Sequence, residues 1–189
     1  YRSPFTHVVC TRDGSGASYY LPQLLRSGVP VSLELNGVER LLPNEHEVAK
    51  FRSQIGLGGR PVVMFTGRLE ESKGCDMFVE GMVLLLQGLS VDAVIVGDGA
   101  MKTDLQRRIS EAGLTDAIHL IGSVTHDQIP AVLAVANIYV SLNQFGNLSN
   151  INLEAISQGK CMVILDSDPQ HHIDDETVDL LSEKLNLYR

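Results

Sequence analysis

Apolar residues in this chain gather in short unbroken runs, and between the runs they recur at helical spacing. The runs are His7 to Thr11, Val31 to Leu35, Pro61 to Phe65, Ala93 to Val96, Ile118 to Ile121, Ile138 to Leu142 and Cys161 to Leu165. They do not alternate with polar residues, so each predicts a strand buried on both faces, as in a parallel sheet covered by helices. After Lys73, residues Phe78, Val79, Met82, Leu85 and Leu86 fall on one helical face. Met101, Leu105 and Ile109 repeat the pattern, with Lys102, Asp104, Arg107 and Arg108 turned outward and Gly113 as the stop. Ile129, Val132, Leu133 and Ala136 form the next stripe. Thr125 and Gln128 predict a capping box before it, although Pro130 leaves the first residue open. A last helix is expected from about Ser149 to Gln158, ending at Gly159.

Strand and helix in turn imply right-handed crossovers and an α/β fold, a Rossmann-like doubly wound parallel sheet. Ligands of such sheets bind beyond the carboxyl ends of the strands. The turns after Phe65 and Val96 and the loop after Leu142 all fall at those ends. The stretch from Asn36-Gly37-Val38 to Arg60 is richer in glycine, asparagine and charge, and reads as a seam.

Charge and cysteine content narrow the classes. A formal charge of −8 argues against a protein that coats nucleic acid. Three scattered cysteines, Cys10, Cys75 and Cys161, fit free thiols in a reducing compartment better than a disulfide framework, and a cytoplasmic location is expected, with a membrane-peripheral full-length protein as the alternative. No apolar stretch approaches the ~20 residues that span a bilayer. The chain opens at Tyr1 without methionine and closes in a charged, helix-like segment, so a piece of a longer protein is expected.

The strongest chemical signal is Phe65-Thr-Gly-Arg68-Leu-Glu-Glu-Ser-Lys73-Gly74. A strand ends in a glycine turn, and two cations five residues apart flank the approach to a helix. A helix start already carries partial positive charge, so added cations there are unfavourable unless an anion joins them. A diphosphate fits the arrangement; two solvated surface cations are the plainer alternative.

Other segments are weaker alone. Val94-Ile-Val-Gly97-Asp98-Gly99 runs a strand into a glycine turn, but holds only part of the dinucleotide fingerprint. It reads as a plain βα turn, or as the one feature favouring a nicotinamide-dependent dehydrogenase domain, against which the absent third glycine counts. In Asn143-Gln-Phe-Gly146-Asn147-Leu148-Ser149, the N–H groups of Asn147, Leu148 and Ser149 precede a helix and are candidates for phosphate contact. Glu154, about one turn into that helix, is placed to accept two ribose hydroxyls or to face solvent. Asp166-Ser167-Asp168 and His171-His172-x-Asp174-Asp175 hold metal-ligand residue types, but in a polar, aperiodic stretch where solvated acids are the simpler reading. No metal is assigned.

Together these residues resemble the donor-binding, C-terminal half of a retaining glycosyltransferase of family 4, with the two-domain GT-B fold. The matching pieces are Asn36-Gly37-Val38, Gly67-Arg68-Leu69 with Lys73-Gly74, Val96-Gly97-Asp98-Gly99, Ile121-Gly122, and Leu153-Glu154-Ala155 closing at Gly159. The resemblance implies that Gly67, Arg68, Lys73, Asn147, Leu148 and Ser149 hold the donor diphosphate. It implies that Gly97, Gly99, Val124 and Glu154 bind the nucleotide, Glu154 through the ribose. The donor would be a nucleotide-diphosphate sugar, with no further cofactor, and the acceptor a carbohydrate, lipid-linked or other molecule. Residues 1–35 would be the tail of an acceptor domain, 36–60 a linker, and 61–189 the nucleotide-sugar-binding domain, truncated at its C-terminus. Such enzymes usually carry a second glutamate eight residues before the ribose-binding one. Gly146 stands there, which leaves the sugar contact and the donor unassigned and keeps open a catalytically inert binding module.

Overall fold

The computed structural model describes residues 5–166 together with 168, 170, 171, 173, 174 and 177. The elements run β1 (Val8–Arg12), α1 (Ala17–Leu24), β2 (Val31–Leu35), α2 (Glu45–Gln54), β3 (Val62–Thr66), α3 (Cys75–Leu85), β4 (Asp92–Val96), α4 (Lys102–Glu111), β5 (Ile118–Gly122), α5 (Ile129–Val135), β6 (Ile138–Ser141), α6 (Asn150–Ser157) and β7 (Cys161–Ile164). Short 3-10 turns, Glu71–Lys73 and His126–Gln128, precede α3 and α5. All seven expected strands are present, but burial on both faces does not extend to all of them: β1 and β7 alternate, exposing Val9 and Val163, and β2 exposes Leu35. The helix-like segment at the chain end lies outside the described residues.

The chain divides into two compact units. One comprises the described residues of Tyr1–Val38, Gln144–Leu153 and Leu165–Arg189; the other comprises Glu39–Asn143 and Glu154–Ile164. In the first, β1 and β2 pair in parallel, with Val8 opposite Val31 and Arg12 opposite Leu35, and α1 makes the crossover. Gly14 and Gly146 meet backbone to backbone in this unit. A Cβ on Gly146, at φ 111°, would fall 2.5 Å from the Asp13 carbonyl oxygen. Asp174, itself at φ 61°, donates its N–H to the Gly14 carbonyl at 2.8 Å.

The second unit is a five-stranded parallel sheet in the order β5-β4-β3-β6-β7. The central strands β3 and β4 bury both faces, as their unbroken apolar runs require. Val63, Phe65, Ala93 and Ile95 face Phe78, Val79 and Met82 of α3 and Leu105 and Ile109 of α4. Val62, Met64, Val94 and Val96 point to the opposite face, where Val132 and Val135 of α5 and Val48 and Phe51 of α2 cover them. The sheet is thus doubly wound, and its strand order reverses between β3 and β6.

Helix α2 lies in the stretch 36–60 expected as a linker. Val48, Phe51 and Ile55 sit at spacings of three and four, and the helix starts where Asn44 Oδ1 accepts the His46 N–H at 2.9 Å. Its charged residues hid this stripe. The capping box at Thr125 forms, with Gln128 Oε1 accepting the Thr125 N–H at 3.0 Å, and α5 follows one residue before Pro130.

Candidate functional site

In the second unit three strand-end turns are stitched by backbone hydrogen bonds. The Gly67 N–H donates to Val96 O at 3.0 Å, Leu69 N–H to Asp98 O at 2.9 Å, and Met101 N–H to Leu69 O at 3.0 Å. One strand further out, Gly97 N–H donates to Gly122 O at 2.8 Å. Leu69 is fully buried, so Arg68 is held between two fixed neighbours while its guanidinium points outward at 71% side-chain exposure. Its Nη1 lies 3.1 Å from Glu70 Oε1, an exposed pair of small energetic weight.

Gly97 and Gly99, expected to touch nucleotide, have a nearer task in the fold. A Cβ on Gly97 would run into the Gly67 carbonyl oxygen, and one on Gly99 would come within 2.6 Å of Leu69 O. The turn after β4 is therefore bare backbone packed against the turn that carries Arg68. Val124, also expected at the nucleotide, is partly buried and packs its side chain on the α2/α5 face of the core.

Lys73 ends the 3-10 turn, and Gly74 (φ 69°) passes the chain into α3. A Cβ on Gly74 would lie 2.5 Å from Leu142 Cβ, so the start of α3 rests directly on the continuation of β6. There Lys73 Nζ donates to Asn143 Oδ1 at 3.2 Å. This bond joins residues that follow β3 and β6, the two strands at the reversal of sheet order. Open α/β sheets bind ligands at that crevice.

Glu154 lies on α6, its side chain 16% exposed, with His126 Nε2 3.8 Å from Oε1. Burial pushes its carboxyl above the ordinary carboxylate range, and the nearby imidazole partly offsets this. A shallow pocket is lined by Glu154 and Ser157 of α6, His126 and Pro130, with Glu39 and Leu41. Arg68, Lys73 and Glu154 thus all follow the carboxyl ends of the adjacent strands β3 and β6.

Asn147, Leu148 and Ser149 belong to the first unit. The Asn147 N–H donates to Asp174 Oδ1 and its side-chain amide to Asp174 Oδ2, each at 2.6 Å, and the Leu148 N–H donates to Asp13 O at 3.0 Å. Two of the three amides expected at a phosphate already serve protein acceptors. Ser149 O accepts the Leu153 N–H at 3.0 Å, within the first turn of the helix. Burial raises the carboxyl of Asp174, against the lowering effect of bonds from Thr177 and Asn147.

Of the acidic and histidine stretch, Asp168 Oδ2 pairs with His171 Nδ1 at 2.7 Å, and that bond holds the Asp168 carboxyl low. Ser167, His172 and Asp175 lie outside the described residues. Among the described residues no group of three His, Cys, Asp or Glu side chains is placed to hold a metal. None of their helices is long and apolar enough to cross a membrane.

Sequence reasoning passed over Asn143, Glu70 and His126. Asn143 and Glu70 carry no spacing signal, because their partners are set by the sheet order and by a turn. His126 sits inside a segment legible only as a cap.

Comparison with known proteins gives the context. The profile of the family described as Glycosyl transferases group 1 matches residues 60–186. An alpha-D-kanosaminyltransferase of Streptomyces kanamyceticus is 29% identical over 62% of this chain and 31% of its own length. A 2-deoxystreptamine glucosyltransferase of the same organism is 31% identical over 60% of this chain and 30% of its own. This chain therefore spans about a third of the length of these curated relatives. Anabaena HepE, solved with UDP and glucose, superposes with a TM-score of 0.71 at 17% identity, covering 95% of this chain and 54% of HepE. The C-terminal domain of LpcC, a group 1 family protein from Francisella tularensis, superposes with a TM-score of 0.57 at 20% identity, over 78% of this chain and 89% of that one. The parallel sheet and its helices are shared with GT-B glycosyltransferases, and the chain belongs to the group 1 glycosyltransferase family.

Proposed function

We propose that this chain is the donor-binding part of an enzyme that moves a sugar from a nucleotide diphosphate to an acceptor, with retention at the anomeric carbon and without a metal. One observation carries the reading: Arg68 and Lys73 stand at the reversal of strand order, on turns fixed by backbone bonds. When the bond between the anomeric carbon and the diphosphate oxygen breaks, negative charge builds on the leaving group. Lys73, its ammonium already held by Asn143, stabilises that charge with little rearrangement, and the exposed Arg68 guanidinium turns to join it. Glu154 would accept the ribose hydroxyls. Retention is what the resemblance to family 4 implies, and the acceptor would be a carbohydrate, a lipid-linked molecule or another hydroxyl compound. Residues 61–189 would form the nucleotide-sugar domain, in a cytoplasmic protein.

A second reading, an inert binding module, is favoured by Gly146. Its missing side chain is required by the Asp13–Ser15 backbone against it, so the sugar-contacting glutamate has no room at this position.

Calorimetric titration with UDP-, GDP- and ADP-sugars and with NAD tests the binding part. One nucleotide sugar should bind and NAD should not. Arg68→Ala and Lys73→Ala should each weaken binding by about tenfold or more with unchanged circular dichroism. Full affinity in both variants defeats the diphosphate assignment. Transfer or donor hydrolysis by the full-length protein separates the enzyme from the inert module.

A further inference from the structure

We infer that Asn143 is a positioning residue, which holds the Lys73 ammonium at the β3/β6 crevice in readiness for an anion. The inference deepens the reading above and rests on Lys73 meeting the donor diphosphate. A lysine side chain has four rotatable bonds and, left free, would sample many positions. Here both ends are constrained. Its backbone is fixed by the Lys73 N–H bond to Glu70 O at 3.0 Å and by Gly74, pressed against Leu142. Its tip meets Asn143 Oδ1 at 3.2 Å, and Asn143 is itself only 9% exposed.

The chemistry of the partner matters as much as its place. An ammonium has three donors, and an amide oxygen occupies one of them without neutralising the charge. The remaining donors stay available to phosphate oxygens. A carboxylate at position 143 would hold the lysine equally well but would cancel its charge and repel a diphosphate. Asparagine orients and leaves the cation active. Leu142 and Asn143 are consecutive, so the end of β6 fixes the backbone and the tip of one lysine together.

The test uses the 189-residue chain and whichever of UDP, GDP and ADP binds it most tightly. Asn143→Ala should raise Kd for that nucleoside diphosphate about 3- to 10-fold, and Asn143→Asp should raise it more. Affinity for the corresponding nucleoside should stay unchanged in both. Combined with Lys73→Ala, Asn143→Ala should add no further loss, because its action passes through the lysine. A structural defect would instead add to the loss and would weaken nucleoside binding as well. If Asn143→Ala fails to fold, Asn143→Ser is measured in its place with the same expectation. Undiminished affinity in the Asn143 variants, or additivity with Lys73→Ala, overturns the inference while a loss in Lys73→Ala keeps the diphosphate reading. Full affinity in Lys73→Ala overturns both.

Discussion

His126 stands beside Glu154, its Nε2 3.8 Å from the Oε1 of a carboxylate that is 16% exposed. Desolvation raises this carboxyl and the imidazole offsets only part of the rise. With a folded value above the unfolded one, the native state binds a proton more tightly than the unfolded chain does. Stability therefore increases as pH falls through the folded value, and at neutral pH the ionised side chain costs stability. Glu154→Gln removes that cost. Its Tm at pH 7 should therefore exceed the parent's. The difference should vanish in acid, below the ordinary carboxyl range. Nucleotide affinity should move the other way, by about tenfold, as a charged acceptor for ribose is lost. A variant less stable than the parent at pH 7 would contradict the assignment.

The turns after β3 and β4 make a second, purely steric prediction. Gly97→Ala drives a methyl group into the Gly67 carbonyl, and Gly99→Ala places one 2.6 Å from Leu69 O, both at φ values that L residues rarely adopt. Neither contact is with the tip of a flexible side chain, so backbone has to move. Each substitution should lower stability by well over 1 kcal/mol, read as a lower urea midpoint. In either variant that folds, nucleotide-diphosphate affinity should also fall, because Arg68 sits on the displaced turn. Wild-type stability in both would show that the turns have room that the geometry denies.

These cases also show what could be read before any coordinates. Val62 to Phe65 and Ala93 to Val96 were legible because a strand buried on both faces has no polar choice to make. The cations at 68 and 73 were legible because positive charge beside a helix start calls for an anion. The order β5-β4-β3-β6-β7 was not, since every βαβ crossover looks alike in a linear pattern, and only that order puts Lys73 beside Asn143. Helix α2 escaped notice because three partly buried apolar residues carry it among Glu45, Glu47, Lys50 and Arg52. Gly97 and Gly99 read as a plain turn on their own and as a nucleotide turn only through the family resemblance, and their first physical duty is to let the Gly67–Leu69 backbone approach. A glycine pair looks the same whether its neighbour is a phosphate or another turn.

At the start of β4, Asp92 is fully buried, with Arg60 Nη2 2.5 Å from Oδ1 and His119 Nε2 3.6 Å from the same oxygen. Among the described residues its oxygens find no well-aligned hydrogen bond, so the ion pair with Arg60 is what supports them. Arg60→Ala should cost about 2 kcal/mol, less than for a wholly buried pair because the arginine is part exposed. Adding Asp92→Asn in that background should recover part of the loss, since an amide needs no counter-charge. Urea denaturation of the four members of the cycle measures it. Losses that simply add would mean that Arg60 acts through something other than Asp92.

Lys160, just ahead of β7, closes the opposite end of α5. Its Nζ donates to Ala134 O and Ala136 O, each at 3.1 Å, carbonyls that the end of the helix leaves without intrahelical partners. The negative end of the helix also favours a cation there. Burial lowers the lysine's pKa, so desolvation offsets part of what the two bonds contribute. Lys160→Met keeps the aliphatic stem and removes both bonds, and should cost about 1–3 kcal/mol. Lys160→Arg, which keeps charge and donors, should cost less. Because α5 precedes the strand at the crevice but carries none of its cations, nucleotide affinity extrapolated to the fully folded protein should stay at the parent value. Stability by urea titration and affinity by calorimetry on the same samples would separate the two effects, and a loss of affinity without a loss of stability would place Lys160 in the binding site instead.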